Sequence, residues 1–217
     1  MTEAAGATGA HDVPADETRI VLVRHGQTEF NREDRWQGSG SDAPLNDAGR
    51  EEALQLATVL LERYAGRVAA VYTSDLERAR ETARIVADRL GVEVVVEPAL
   101  RELSHGRWEG LTHEEVVTRW PTEHAEYQAD PYHVRRGGGD SYQDLEARVW
   151  PALERLGERH HGERIVAVSH GGPIRLALSR ILHKPLTDRD ALGVVNGAWF
   201  EISRSRRGWA VVPADGA

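Results

Sequence analysis

The stretch IVLVRHGQTEFN, residues 20–31, decides the reading of this chain. Residues 20–23 are wholly apolar and largely β-branched, the pattern of a strand covered on both faces. The run stops abruptly at Arg24, His25 and Gly26. A buried strand that delivers a cation and an imidazole at its tip, with a glycine turn directly behind them, points to a site beyond its carboxyl end.

Working outward, the same pattern recurs. Residues 68–72 read as a second buried strand, residues 92–96 as a third strand ended by Pro98, and RIVAVS (164–169) as a further buried strand that ends in His170, Gly171 and Gly172. Helices are expected after each: one capped by Asn46 or Asp47, with Ala53, Leu54, Ala57, Leu60 and Leu61 on one face; one over about 75–90, stopped by Gly91; a long one capped by Ser141; and one over about 173–182 with Pro173 in its first turn. Residues 193–212 read as an edge hairpin joined through SRSRRG. The stretch from Leu100 to about Asp140 carries Trp108, Trp120, two prolines and the run GGGD, and reads as a helical and looped insertion roofing a site. Strands alternating with helices predict an α/β fold, a three-layer α/β/α sandwich on a mostly parallel sheet. Residues 19–217 are expected to form one domain, behind a disordered tail over 1–18 that is small, acidic and rich in Gly and Ala.

Three strand tips carry polar groups: Arg24 and His25; Thr73 and Ser74 with Arg78 one turn on; Ser169, His170 and Gly171. In an open α/β sheet these tips share one edge. Two guanidinium forks and the N–H groups of glycine turns at helix starts describe a phosphate cradle. A neutral His can attack phosphorus through Nε2 when its Nδ1–H is held, and a second, protonated His can donate to the spreading charge. Glu102, in LRELSHGRWEG (100–110), is the candidate donor of a proton to the leaving group, because a partly dry carboxyl beside phosphate oxygens tends to stay protonated. Glu109 competes with it nearby, and Glu114 and Glu115 more remotely.

These motifs resemble the histidine phosphatase superfamily in its phosphoglycerate-mutase-like branch: RHGQTEFN (24–31), SDLERARETA (74–83), LRELSHGRWEG (100–110) and SHGG (169–172), in that order. The resemblance implies His25 as nucleophile, Arg24, Arg78 and His170 as phosphate ligands, and Glu102 as acid and then base. It implies further phosphate contacts from Asn31 and the Thr28 region, and from Gln37 in RWQG. It also implies no metal requirement and no cofactor. Where the family often has Gly-Gly-Glu-Ser, this chain has Gly138-Gly139-Asp140-Ser141; the shorter acid weakens the case for substrate contact there while leaving a capping role. RWQGSGSDAPLN (35–46) runs long and is read as a pocket rim.

The expected activity is metal-independent hydrolysis of a small phosphate ester. The rivals are a cofactor-dependent phosphoglycerate mutase, which returns the phosphoryl group to substrate, and an inactive phospho-ligand binding module, which commonly lacks one of these five groups. A net charge of −8 makes nucleic-acid or membrane partners poor expectations, and no apolar run reaches the roughly 18 residues of a membrane span. The absence of cysteine excludes thiolate chemistry and fits a reducing, cytoplasmic setting; a monomer or homodimer is expected. Trp36, Trp108 and Trp120 either pack the roof or line a pocket for an organic group. His160 and His161 diverge on a helix by about 100° and read as surface residues. His105, His113, His124 and His133 lack metal-ligand spacing.

Overall fold

A computed structural model of the chain describes residues 13–187 and 192–213. One mixed sheet holds β1 (Thr18–Arg24), β2 (Val71–Thr73), β3 (Val94–Val96), β4 (Arg164–Ser169), β5 (Trp199–Ser205) and β6 (Gly208–Val212), in the order β3-β2-β4-β1-β5-β6. The first four run parallel, and the β5–β6 hairpin joins antiparallel to β1. Helices α1 (Glu29–Arg32), α2 (Asp47–Tyr64), α3 (Glu77–Leu90), α4 (His113–Arg119), α5 (Pro121–Ala129), α6 (Tyr142–Arg159) and α7 (Gly171–Leu182) complete it.

Side chains alternate faces along a strand, so the apolar runs must be covered twice. Val21, Val23, Val71, Val166 and Val168 pack with Leu56 and Leu60 of α2 and with Ala79, Ala83 and Val86 of α3. Ile20, Leu22, Tyr72, Ile165 and Ala167 pack on the other side with Leu145, Val149 and Leu153 of α6 and Ile174 and Leu178 of α7. The result is the three-layer sandwich. No helix among the described residues is long and apolar enough to cross a membrane.

Several local expectations are corrected. The second strand starts at Val71, not residue 68. The third starts at Val94, not residue 92; it is the sheet edge, with Val94 and Val96 37% and 47% exposed, and a β-branched run fits an edge as well as a core. The helix expected from 75 begins at Glu77, since Ser74 turns the chain, and α7 begins at Gly171, two residues before Pro173. His160 is buried, with Nε2 2.8 Å from the Tyr72 hydroxyl and Nδ1 2.6 Å from Glu163. Residues 1–12 of the expected tail lie outside the described residues.

Close backbone approaches fix the entrance to the site. A Cβ on Gly26 would sit 2.2 Å from the Gly49 carbonyl oxygen, and one on Gly49 would sit 2.1 Å from that of Gln27. The turn after β1 therefore lies directly on the first turn of α2, where Asn46 caps the Gly49 N–H at 2.9 Å and donates to Gln27 Oε1. Gly26→Ala is expected to destabilise by at least about 2 kcal/mol through overpacking. Gly66→Ala, at a left-handed turn (φ +66°) with open space around it, should cost only about 1 kcal/mol. Urea midpoints of the two variants check the order.

Candidate active site

The register of β1 on β4 sets Arg24 opposite Ser169. The next residue on each chain is a histidine, and the His25 N–H bonds the Ser169 carbonyl at 3.1 Å. The two rings consequently meet with centroids 5.0 Å apart at 58°. His25 Nδ1 lies 2.7 Å from the Gly26 carbonyl oxygen, which only an Nδ1–H can satisfy. That leaves the Nε2 lone pair facing outward, where Arg78 Nε–H donates to it at 3.3 Å. His170 Nε2 is 2.6 Å from Ser74 Oγ, and its buried Nδ1 has no protein partner among the described residues.

Arg78 is 1% exposed, and no carboxylate among the described residues forms an ion pair with it. Its fork donates instead to the carbonyls of Gly38 (2.7 Å) and Ser41 (3.0 Å), so the 35–46 stretch read as a rim is what holds this cation. The surface pairing open to an Arg in this helix goes elsewhere: Asp75 bonds Arg101 at 2.9 Å. Arg24 donates to the Val194 carbonyl at 3.0 Å. Burial pulls both guanidiniums down to about 10, Arg175 adding to the effect at Arg24 and Glu102 opposing it at both. Both stay charged at neutral pH.

Burial, then the Arg78 charge, holds each imidazole well below its ordinary 6.5. Burial first, and the cations nearby second, thus favour a neutral His170 as long as no anion sits between the guanidiniums.

Glu102 is half-buried and lines the same cavity. Its Oε2 accepts the Gly172 N–H at 3.1 Å, and a Cβ on Gly172 would meet its Oε1 at 2.2 Å, so only glycine allows this approach. Arg148 of α6 ties down the backbone beneath it through the carbonyls of Ala99, Arg101 and Glu102. Glu109 is occupied elsewhere, accepting the His105 N–H at 2.9 Å under Gly38 and Gly40. Glu115 closes the cap of α4. Asp140 caps nothing: its carboxylate accepts the Ser104 N–H, while Ser141 and Asp144 form the cap of α6.

A cavity of about 390 Å³ is lined by Arg24, His25, Asn31, Gln37, Arg78, Glu102 and Gly171 among others. His170 and Thr28 are not among the lining residues: the buried His170 ring packs against His25, and the Thr28 hydroxyl donates to Gln37 Oε1 at 3.0 Å and caps the Asn31 N–H.

The chain matches the histidine phosphatase superfamily (branch 1) over residues 20–214. It belongs to that superfamily. It is 41% identical over 167 residues to phosphoglycerate mutase-like protein 4 of Arabidopsis thaliana, covering 76% of this chain and 71% of the relative. It is 36% identical over 171 residues to a metal-independent phosphoserine phosphatase of the same plant, covering 78% and 71%. The mycobacterial glucosyl-3-phosphoglycerate phosphatase solved with VO3 superposes with a TM-score of 0.77 at 31% identity, covering 92% of this chain and 99% of that one.

Within this histidine phosphatase fold, sequence reasoning missed Arg175, Arg136 and Asn196. Arg175 follows Gly171 by one helical turn, as Arg78 follows Ser74, so the same spacing rule could have found it. Asn196 donates to the His25 carbonyl and to Asn31 Oδ1, both at 3.1 Å, from a loop with no motif. Trp108 is fully buried core, while Trp36 lines the cavity.

Two imidazoles with folded-state pKa values below the unfolded 6.5 make stability fall with acid. The unfolded chain takes up protons first, so the loss begins below about pH 6.5 and continues to the depressed folded values. Each ring is expected to contribute up to about 1.4 kcal/mol per pH unit in that window. Urea melts of wild type and His170→Asn between pH 7 and 5 check this; the variant should show the shallower slope.

Proposed function

We propose that the protein is a phosphomonoesterase that hydrolyses a small phosphorylated metabolite through a phosphohistidine on His25. The observation that carries this is the His25 tautomer: Nδ1–H held by the Gly26 carbonyl, with the Nε2 lone pair presented between Arg78 and the His170 ring. The relatives named as phosphatases, one of them metal-independent, support the same reading.

In the first step the Nε2 lone pair forms the N–P bond as the ester P–O bond breaks. Glu102, in its acid form, gives its proton to the departing alkoxide. Arg24 and Arg78 hold the non-bridging oxygens, and the dianion between them offsets the cation field that keeps His170 neutral, letting that ring take a proton and donate to the same oxygens. Gly171 N–H, at the start of α7, adds a donor; Gly172 N–H already serves Glu102. Asn31 and Gln37 close the phosphate side, positioned by Thr28. In the second step water attacks phosphorus, Glu102 takes its proton, and the N–P bond returns its electrons to Nε2. No step calls for a metal.

His25→Ala should abolish phosphate release from a phosphoester panel, and wild type should carry acid-labile, base-stable phosphate during turnover, with EDTA having little effect. Glu102→Gln should lower turnover of alkyl phosphates by on the order of 10²-fold, but that of p-nitrophenyl phosphate far less, because that leaving group needs no proton. Equal losses on both would remove Glu102 from the acid role. Strict dependence on a bisphosphate primer would turn the reading toward a mutase.

A further inference from the structure

The cavity holds more positive charge than one phosphate uses. Arg24, Arg35, Arg78, Arg136 and Arg175 line it, against the carboxylates of Asp34 and Glu102. Arg35 is answered by Glu33 and Glu115 outside it. Arg136 is not answered. It is 4% exposed, its Nε–H is buried without an acceptor, and no ion pair or side-chain hydrogen bond reaches it among the described residues. The nearest acid in sequence, Asp140, is committed to the Ser104 N–H.

What surrounds Arg136 is aromatic. Its Cζ lies 4.6 Å from the Tyr142 ring, 4.8 Å from Tyr127 and 6.0 Å from Trp36. Ring faces attract a cation but accept few of its N–H bonds. Burying a guanidinium with donors unspent is costly unless an anion completes it. Its place is fixed rather than adjustable: Gly137 and Gly139 pack on the backbone of His105 and Ser104, where a Cβ would sit 2.5 Å from either carbonyl oxygen. Trp36, stacked on His113 at 5.6 Å, forms the neighbouring wall.

We propose that Arg136 is the receptor for a second anionic group, a carboxylate or a further phosphate, on the alcohol part of the substrate, so that this enzyme takes phosphate esters of anionic alcohols rather than of neutral ones. The substrate class rests on the hydrolase reading above; the anion site itself does not. A planar guanidinium fork between flat rings suits the two oxygens of a carboxylate.

The test is calorimetric and needs no turnover. ω-Phosphonocarboxylates of increasing chain length are titrated against alkylphosphonates of matched length, with α,ω-bisphosphonates as a third arm. Wild type should prefer the doubly anionic ligands by at least about tenfold at the best length. The third arm ranks phosphate against carboxylate. In Arg136→Met the ratio should fall to about one, and Arg136→Lys should retain part of it; Arg136→Gln serves if the Met variant does not fold. No preference in wild type, or one that survives loss of the guanidinium, overturns the proposal. If the preference holds and no phosphate ester is hydrolysed, the anion site stands and the hydrolase reading falls.

Discussion

The parallel register of β1 on β4 is the constraint from which the site follows. With Arg24 opposite Ser169, the residues after them cannot avoid each other, and two imidazoles are pressed to a 5.0 Å centroid separation at the sheet edge. Everything else at that edge answers the resulting problem of burying polar and charged groups. Arg24 and Arg78 would be several kcal/mol too costly to bury if left bare. They are held by backbone carbonyls of Val194, Gly38 and Ser41, which stabilise a cation without cancelling its charge. A carboxylate in those places would have made a comfortable ion pair and a poor anion site.

The same field sets the protonation states. Burial, reinforced by the cations beside them, keeps both imidazoles neutral, so the Nε2 lone pair of the proposed nucleophile is available at neutral pH without any base to uncover it. In the proposed mechanism an arriving dianion satisfies the two guanidiniums and offsets the part of the His170 shift that they cause. Attraction for phosphate, activation of His25 and the later charging of His170 would then be one electrostatic effect read at three groups.

The parts legible from the sequence were those written in short-range chemistry. Apolar β-branched runs ending in Arg24, His25 and Ser169, His170 marked strand tips, and the rule that such tips share an edge brought them together. Cap residues such as Asn46 and Ser141 marked helix starts. What stayed hidden depended on partners distant in sequence. The apolar run 92–96 does not say that β3 will be an edge, which only the strand order shows. His160, at the end of α6, looks like surface until Tyr72 arrives from β2. Arg136 sits beside a glycine run that reads as a loop, and nothing local says its guanidinium will be enclosed by Tyr127 and Tyr142.

The placement of Glu102 shows how a loop residue gains the rigidity that the proton transfer proposed for it requires. Its segment has no regular structure, yet three of its carbonyls are gripped by Arg148 from α6, and its carboxylate is fixed by an N–H at the start of α7. The two helices that cover one face of the sheet therefore also aim the proposed proton donor, and the Gly172 that admits it is the neighbour of Gly171, proposed as a phosphate ligand. Roof and floor are coupled through that pair of glycines. A side chain at Gly172 would push the carboxyl away from the leaving group while leaving the phosphate cradle intact, separating binding from turnover at a residue with no chemistry of its own.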